Sequence, residues 1–266
     1  MDILKRSLAP ITEKAWAEID EQARRVLVGL LSARKFVDVD GPKGWDYAAV
    51  PLGRLDVSGE KSVDGIDYGV NKVLPLVEAR AFFEMDLWEL DNIERGAEDI
   101  DLSAMENAAR NIAAFEEKAI FYGFKQGQIK GLKEVADHKP MEITSDPGKI
   151  MEAVTTGLAG FAEESIDGPF YLIVNPGMWS KIASYSQGYP LKRQLKDLIG
   201  GSIILSPFIE DAFLVTGRGG DMQLVLGQDL SIGFHSSDQK KARLFFTESF
   251  TFQVLDPAAI VPLTLK

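Results

Sequence analysis

Residue types that commonly carry chemistry are scarce in this sequence. Its 266 residues include no cysteine and only two histidines, His138 and His235, each alone in a polar stretch. No histidine pair or cysteine cluster has the spacing of a transition-metal site. A Ser–His–Asp triad would need one of these two imidazoles, and no serine lies in a nucleophile-elbow context. The sequence therefore predicts no metal site and no catalytic residues.

The glycine-rich segments do not form a nucleotide-binding motif. No G-x-G-x-x-G follows a predicted strand, and no G-x-x-x-x-G-K-[ST] occurs, so the usual phosphate-binding loops are missing. The stretch 217–220 is interpreted as a hairpin turn, because glycine adopts the positive φ that such turns require.

An acidic run, 84–101, offers two interpretations. A pair of its carboxylates could act in hydrolysis, or the run could be a solvated strand end and loop, which we favour. Trp88 within the run could stack on a planar ligand or serve as a buried anchor or contact residue. No enzyme is predicted from these residues.

Charge and hydropathy exclude two classes of partner. The net charge is −11, from 40 acidic and 29 basic residues, which argues against nucleic acid because a phosphate backbone requires clustered cations. The longest apolar run, 26–31, is too short to cross a bilayer, and no apolar segment of a secretory signal follows the first residues. We expect a cytoplasmic protein without a membrane partner.

Helices are predicted where apolar residues recur at three- and four-residue steps. Thr12 is the expected N-cap of the first helix, and Ser103 with Glu106 has the spacing of a capping box. The predicted helices cover 12–33, 103–126, the stretch opened by Ser145-Asp146-Pro147, the stretch opened by Asn175-Pro176, and 191–199.

Strands are predicted where apolar and polar residues alternate. Two such stretches, around 55–57 and 77–87, are joined by the polar turn 59–62 and predict an extended β-arm that needs a surface to lie against. Further strands are expected at 170–174, 202–205, 212–216, 222–226 and, as the last strand, 243–254. The mixed order of helices and strands predicts an α+β fold.

Several sequence blocks, in order along the whole chain, resemble the encapsulin shell proteins, the linocin or bacteriocin-like group. The blocks are Leu4-Lys5-Arg6-Ser7, Arg34-Lys35-Phe36-Val37-Asp38-Val39, Asp86-Leu87-Trp88-Glu89-Leu90-Asp91-Asn92, Leu226-Gly227-Gln228-Asp229-Leu230-Ser231-Ile232-Gly233 and Phe250-Thr251-Phe252-Gln253-Val254.

The resemblance implies a phage-capsid-like (HK97-type) fold and an icosahedral cage, with 60 copies if the shell is the smallest one. It also implies five segments. Residues 1–48 would form an N-terminal helix and the first part of a peripheral domain, and residues 49–88 an E-loop β-arm that lies across a neighbouring subunit. Residues 89–132 would be a peripheral segment with a spine helix, residues 133–222 an axial domain, and residues 223–266 a return to the peripheral domain.

The family packages a cargo enzyme through a C-terminal targeting peptide, and a ferritin-like iron oxidase, with a role in iron storage, or a dye-decolourising peroxidase is the usual cargo. The resemblance implies that the peptide binds Leu27, Leu31, Arg34, Asp38, Ile232 and Phe234. It places a five-fold pore at Tyr185, Ser186, Gln187, Gly188 and Tyr189. Some members carry a flavin near the position of Trp88, so flavin is an optional ligand and no cofactor is required.

Two alternatives stay open at this point. A phage major capsid protein would have the same fold, but we would expect a scaffold extension and a basic, DNA-compatible interior. A peptidase or bacteriocin is the activity under which the family was formerly described. The six cargo-binding residues could also simply pack the domain.

Overall fold

The computed structural model describes residues 3–57 and 66–265. In these ranges the chain forms seven α-helices, of which α1, α3 and α5 are the long ones. Their bounds are α1 Glu13–Leu30, α2 Leu87–Arg95, α3 Ser103–Tyr122, α4 Leu132–Val135, α5 Pro147–Glu163, α6 Pro176–Ser184 and α7 Leu191–Ile199.

Thirteen strands in the described ranges form two main sheets and two ribbons. The strands are β1 Asp38–Asp40, β2 Ala49–Asp56, β3 Val70–Pro75, β4 Val77–Asp86, β5 Met141–Ile143, β6 Phe170–Val174, β7 Ser186–Gln187, β8 Tyr189–Pro190, β9 Gly200–Leu205, β10 Ala212–Thr216, β11 Met222–Ser237, β12 Lys241–Val254 and β13 Ile260–Leu265. One sheet has the order β1-β11-β12-β4, and the other has the order β5-β13-β10-β6-β9. The pairs β2-β3 and β7-β8 stand apart from both.

Helices α1 and α3 cover one face of the four-stranded sheet. The inward face of β12 carries Leu244 and Phe246, which pack with Ile19, Met105 and Ile112 of the two helices. A second cluster, which contains Phe121, Phe213 and Phe252, joins the end of α3 to both sheets. Because α3 contributes to both clusters, it links the two halves of the fold.

Helices α5, α6 and α7 pack against the five-stranded sheet and form the third core cluster. The predicted N-terminal signals of two of these helices are confirmed. The Asp146 carboxylate accepts a hydrogen bond from Lys149 N at 2.9 Å, and Asn175 Oδ1 accepts one from Met178 N at 2.9 Å. Thr12 likewise caps α1, since its Oγ1 accepts from Ala15 N. The predicted α+β class is confirmed by this mixture of elements.

The pairing predicted for the β-arm was wrong in its second strand. The partner of β2 is β3, whereas β4 pairs with β12 along its whole length, from Val77 opposite Phe250 to Asp86 opposite Lys241. The apolar alternation of β4 reflects burial of Phe83 under α3 and not a free ribbon. The predicted turn at 59–62 lies outside the described residues.

Several other local predictions were also wrong. Residues 87–95 of the acidic run form α2, because Leu90 and Ile93 sit three residues apart and are buried. The stretch 217–220 does not close a hairpin, because β10 and β11 belong to different sheets, although Gly219 and Gly220 do have a φ of 84°. The capping box predicted from Ser103 and Glu106 also does not form.

At the start of α3, the Ser103 amide donates to Asp101 Oδ1, while Glu106 Oε1 accepts from Gln22. The strand 243–254 is not the last one, since β13 follows it, and β11 continues to Ser237, beyond its predicted end.

Candidate functional site

A groove runs between α1 and the central part of β11. It has a volume of about 390 Å³. Its walls come from the segment before α1, from α1 itself, from Arg34 just after it, and from β11 with its neighbour β12. The lining residues are Leu4, Arg6, Asp20, Ala23, Arg24, Leu27, Val28, Leu31, Arg34, Asp229, Leu230, Ser231, Ile232 and Phe246.

The segment before α1 is fixed to both walls. The Leu4 carbonyl accepts a hydrogen bond from Phe234 N of β11 at 2.7 Å. Arg6 donates to Asp20 Oδ2 at 2.6 Å, and its guanidinium lies over the ring of Trp16. These contacts hold one end of the groove in a defined shape, because they join three parts of the chain that are distant in sequence.

The floor of the groove is apolar. Leu27, Leu31 and Ile232 are largely buried, and Phe246 is completely buried beneath them. Val28 is 59% exposed on the adjoining turn of α1, so a solvent-facing apolar strip continues the floor. Burial of this strip by a ligand would be favourable, at about 25 cal/mol per Å² of apolar surface.

A charged cluster forms the wall beside this floor. Arg34 donates from Nη2 to Glu116 Oε2 at 2.5 Å and to Glu248 Oε1 at 2.5 Å, and from Nη1 to Asp229 Oδ1 at 2.8 Å. Glu116 and Glu248 are fully buried, and the side chain of Arg34 is 17% exposed. Three carboxyl groups therefore surround one guanidinium.

Local strand geometry explains how Asp229 reaches Arg34. The register of β11 against β12 shifts between Gln228 and Ser231, so two residues of β11 stand opposite one residue of β12. Such a bulge turns a side chain away from its regular direction. Here it brings Asp229 to the same guanidinium that Glu248 contacts from β12.

The surroundings shift the pKa values of this cluster. Burial would lower the pKa of Arg34, but hydrogen bonds and charge from Glu116, with the charges of Glu248 and Asp229, raise it above the usual range. Burial, followed by the neighbouring charge of Glu116, raises the pKa of Glu248 well above that of an ordinary glutamate. The cluster therefore keeps Arg34 charged and favours the neutral form of Glu248 more than solvent would.

The next residue of α3, Glu117, has its own buried site. It accepts hydrogen bonds from Ser32 Oγ, from Ala33 N at 2.8 Å and from Ser206 Oγ at 3.1 Å. Burial raises its pKa to about 7, against the opposing effect of the Ala33 and Ser32 hydrogen bonds. Because Ser206 follows β9, Glu117 ties the end of α1 to the five-stranded sheet.

Four of the six residues predicted to bind a peptide line this groove, namely Leu27, Leu31, Arg34 and Ile232. Phe234 lies in the same apolar cluster but is buried beside the groove, where its amide is bonded to Leu4. Sequence reasoning missed Val28 and Asp229, although Asp229 lies inside one of the blocks that carry the family resemblance.

The structure places Asp38 away from the residues that line this groove. Its Oδ2 accepts a hydrogen bond from Gly220 N at 2.6 Å, and its backbone pairs with Gln223 of β11. Gln223 and Ile232 are separated by roughly 30 Å along β11, at about 3.3 Å per residue. Asp38 therefore holds the turn at 217–220 and does not face the groove.

The residues predicted to form a pore lie in a small hairpin between α6 and α7. β7 and β8 pair around Gly188, whose φ is 78°. Tyr189 is 48% exposed and donates from its hydroxyl to Asp197 Oδ2 at 2.8 Å, which raises the pKa of that hydroxyl. Tyr185 is half-buried against the core under the five-stranded sheet. Their position around a pore stays a prediction.

Trp88 is not a buried anchor within the chain, since 73% of it is exposed at the start of α2. A shallow depression beside it contains the acidic residues Glu84, Asp86, Glu89 and Asp101, and the cation Lys241, which is bonded to Glu84. An exposed indole could stack on a flavin ring. The carboxylates of a single chain, however, do not suit the phosphate of a flavin nucleotide.

The two histidines lie in different surroundings and contact different parts of the chain. His138 Nε2 donates to the Ala258 carbonyl at 2.9 Å, and its ring packs edge-on against Phe161. His235 is exposed against the ring of Phe82. Among residues 3–57 and 66–265, no group of three or more metal-binding side chains is placed to hold an ion, and no helix is both long and apolar enough to cross a bilayer.

Comparison with known proteins finds a family and individual relatives that match almost the whole chain. The profile of a family described as "Encapsulating protein for peroxidase" matches residues 1–251. A type 1 encapsulin shell protein of Rhodospirillum rubrum is 37% identical over 99% of this chain and 96% of its own length. A second, from Mycolicibacterium paratuberculosis, is 36% identical over 99% of this chain and 100% of its own length.

Solved structures agree on the fold. A virus-like particle from Pyrococcus furiosus superposes with a TM-score of 0.65 and 17% identity, over 93% of this chain and 98% of that one. The capsid of an empty GTA particle superposes with a TM-score of 0.57 and 14% identity, over 88% and 89%. At these identities the likeness concerns the fold, which is the HK97-type capsid fold expected from the sequence blocks.

Proposed function

The chain belongs to the encapsulin shell-protein family, and from that premise we propose that it encloses an enzyme whose C-terminal peptide binds the groove between α1 and β11. The broader role follows from the family: the chain is a shell subunit of a nanocompartment, with a capsid fold and relatives that match it from end to end. The identity of the cargo and its mode of attachment are the parts that we propose.

The groove is the observation that carries the docking proposal. It combines a buried apolar floor, from Leu27, Leu31 and Ile232, with exposed apolar surface at Val28. Its arginines already have carboxylate partners, since Arg6 binds Asp20 and Arg34 binds Asp229 among others. A short peptide with apolar side chains would fill such a site, while a small anion would find its cations already neutralised.

A peroxidase is the cargo that we favour. The family description names peroxidase as the encapsulated partner, and this supports a dye-decolourising peroxidase over the alternative, a ferritin-like iron oxidase. The groove does not distinguish between them, because it would contact only the terminal peptide. We propose that the subunit itself is not catalytic and that the packaged enzyme supplies the chemistry.

For the cage we propose 60 copies, the number of the smallest icosahedral shell. The chain has a modest length of 266 residues and aligns with its type 1 relatives over nearly their whole length, and we take this modest length to favour the smallest shell. Closed symmetry gives the exposed β2-β3 ribbon a surface on a neighbouring copy, and it stops the association from extending into fibres.

Electron microscopy of the protein purified from its native host, with mass spectrometry of co-purifying proteins, tests this proposal. We expect uniform hollow spheres and one enriched enzyme, a peroxidase. Particles that contain DNA would favour the phage capsid alternative instead. Cargo-free particles that hydrolyse labelled casein, with loss of activity on point mutation, would support the peptidase alternative. A monomer across a range of salt and pH would contradict the shell itself.

A further inference from the structure

Glu248 occupies a position where the strand pattern calls for an apolar residue. It lies on the inward face of β12, between Phe246 and Phe250, and its side chain is fully buried. An isolated buried carboxylate is costly, and removal of one partner of a buried ion pair is strongly destabilising. A glutamate at this position therefore needs a reason beyond packing.

The partners of Glu248 connect it to the groove. Arg34 binds Glu248 and Glu116 through the same nitrogen, Nη2, and binds Glu116 again through Nε at 2.9 Å. Its other terminal nitrogen, Nη1, contacts Asp229 at the groove wall. The two buried glutamates thus fix the plane of a guanidinium whose remaining edge lines the groove.

The contacts also bring two carboxyl groups to one nitrogen of Arg34. Two carboxyl groups that share one cation in the interior repel each other if both are ionised. Glu248 Oε1 accepts from Arg34, whereas Glu248 Oε2 is buried without a hydrogen-bond partner among the described residues. Because Glu116 and Glu248 reach the same nitrogen of Arg34, one proton shared in a hydrogen bond between the two carboxyl groups relieves the repulsion.

We propose that Glu248 is a positioning residue for the groove: with Glu116 it holds the guanidinium of Arg34 in the groove wall, and one proton shared by the two carboxyl groups keeps that arrangement intact. This rests on the proposed docking of a peptide in the groove. Arg34 would then offer a pre-oriented donor to a carbonyl oxygen of that peptide. A donor held in place before binding loses less entropy when the complex forms.

The arrangement makes docking sensitive to alkaline pH. Loss of the shared proton would leave two buried anions beside Arg34, and the negative charge of Asp229 would add to the repulsion. The repulsion is relieved if one glutamate withdraws, and Arg34 then loses a partner and its fixed orientation. The sign follows from the raised pKa of Glu248: the arrangement is intact at low pH and is lost as the pH rises.

The test measures how strongly reassembled shells retain a peptide, at about pH 6 and about pH 9. The probe is a labelled synthetic copy of the C-terminal segment of the enzyme that co-purifies with the shell. For the unmodified chain we expect affinity to fall on the order of tenfold at the alkaline end, which corresponds to about 1.4 kcal/mol of lost binding. Glu248→Gln, which imitates the neutral acid, should bind with similar affinity at both pH values.

Glu248→Ala is the matched variant, because it removes the contact with Arg34 as well as the proton. It should bind weakly at both pH values. If Glu248→Gln shows the same alkaline loss as the unmodified chain, the positioning proposal is wrong. If Glu248→Gln does not assemble, Glu116→Gln provides the same test, because it replaces the other carboxyl group that shares the proton. Failure of both variants to assemble would also refute the proposal.

These outcomes are separate from those of the proposed function. An unmodified shell that retains no peptide at either pH would contradict docking in the groove. A shell that retains peptide equally at both pH values would keep the docking and overturn only the role of the shared proton.

Discussion

The guanidinium of Arg6 lies over the indole of Trp16, 4.0 Å from the ring centroid. The same guanidinium binds Asp20 on the next turns of α1. One arginine before the helix is thereby attached to two of its residues. This contact determines where the segment before α1 runs, and that segment forms one end of the groove.

Arg6→Ala should lower the stability of the shell slightly and loosen that end of the groove. A cation–π contact that is partly exposed contributes about 0.5–1 kcal/mol, and an exposed ion pair adds about 1 kcal/mol or less. Calorimetric melting of assembled shells would measure the change. Arg95→Ala is a suitable control, because Arg95 is exposed and its ion pair with Asp91 is long, at 3.7 Å. Equal effects of the two variants would contradict this role of Arg6.

Glu117 should make the folded chain less stable as the pH rises from about 5 to about 7. Its pKa is about 7 in the folded chain and near 4.5 when exposed, so the folded chain holds the extra proton in this interval. Its contribution is present below about pH 4.5 and is lost as the pH rises through about 7, a difference of at most about 3 kcal/mol.

Urea unfolding of the unmodified chain and of Glu117→Gln at both ends of this pH interval would isolate the effect. The difference in the free energy of unfolding between the two proteins should change with pH. The exposed Glu163→Gln variant should show no such change. A constant difference between Glu117→Gln and the unmodified chain would refute the prediction.

The β2-β3 ribbon should be essential for cage formation. Leu55 and Val70 are 57% and 61% exposed in a single chain, and they lie on a two-stranded ribbon that belongs to neither main sheet. The double variant Leu55→Asp, Val70→Asp should fold but stay unassembled, because charge at these positions opposes burial on a neighbour. Size-exclusion chromatography would detect the loss. Leu255→Asp, at another exposed leucine, is the control, and intact cages from the double variant would count against this role.

Ser186→Trp should slow the entry of a bulky substrate if the α6–α7 hairpin surrounds an opening. Ser186 is exposed in β7, so an indole can be accommodated without changing the core. The measurement is turnover by the encapsulated enzyme with intact shells, compared with the same enzyme after the shells are opened. Ser237→Trp, at the exposed end of β11, should have no effect. Unchanged turnover in the Ser186 variant would argue against an opening at this hairpin.

The long amphipathic helices could be predicted from the sequence because their signals are local. Thr12, Asp146 and Asn175 cap α1, α5 and α6 as expected. Pairing between strands depends on contacts across the whole chain, which explains the error over β4. Its alternation shows that one face is buried, but it does not identify α3 as the element that buries that face.

The groove was only partly predictable for a similar reason. The family likeness named Leu27, Leu31 and Ile232, which the structure brings together in the groove, and their binding of a peptide stays a prediction. It could not show that a bulge in β11 turns Asp229 toward Arg34. It also could not show that Glu248, on the apolar face of β12, binds Arg34. It also named Asp38, which pairs with Gln223 at the start of β1 and binds the Gly220 amide, away from the groove lining.

The most direct test of the account is the amount of cargo enzyme in shells that carry Val28→Asp. Val28 is exposed in the groove, so this change places a charge against the apolar strip and leaves the buried core untouched. Quantitative mass spectrometry of purified particles would give the ratio of cargo to shell, with Leu255→Asp as the control. We predict intact cages with at least about tenfold less cargo for Val28→Asp, since about 1.4 kcal/mol of lost binding already gives that factor. Intact Val28→Asp cages that carry the normal amount of enzyme would contradict docking in this groove.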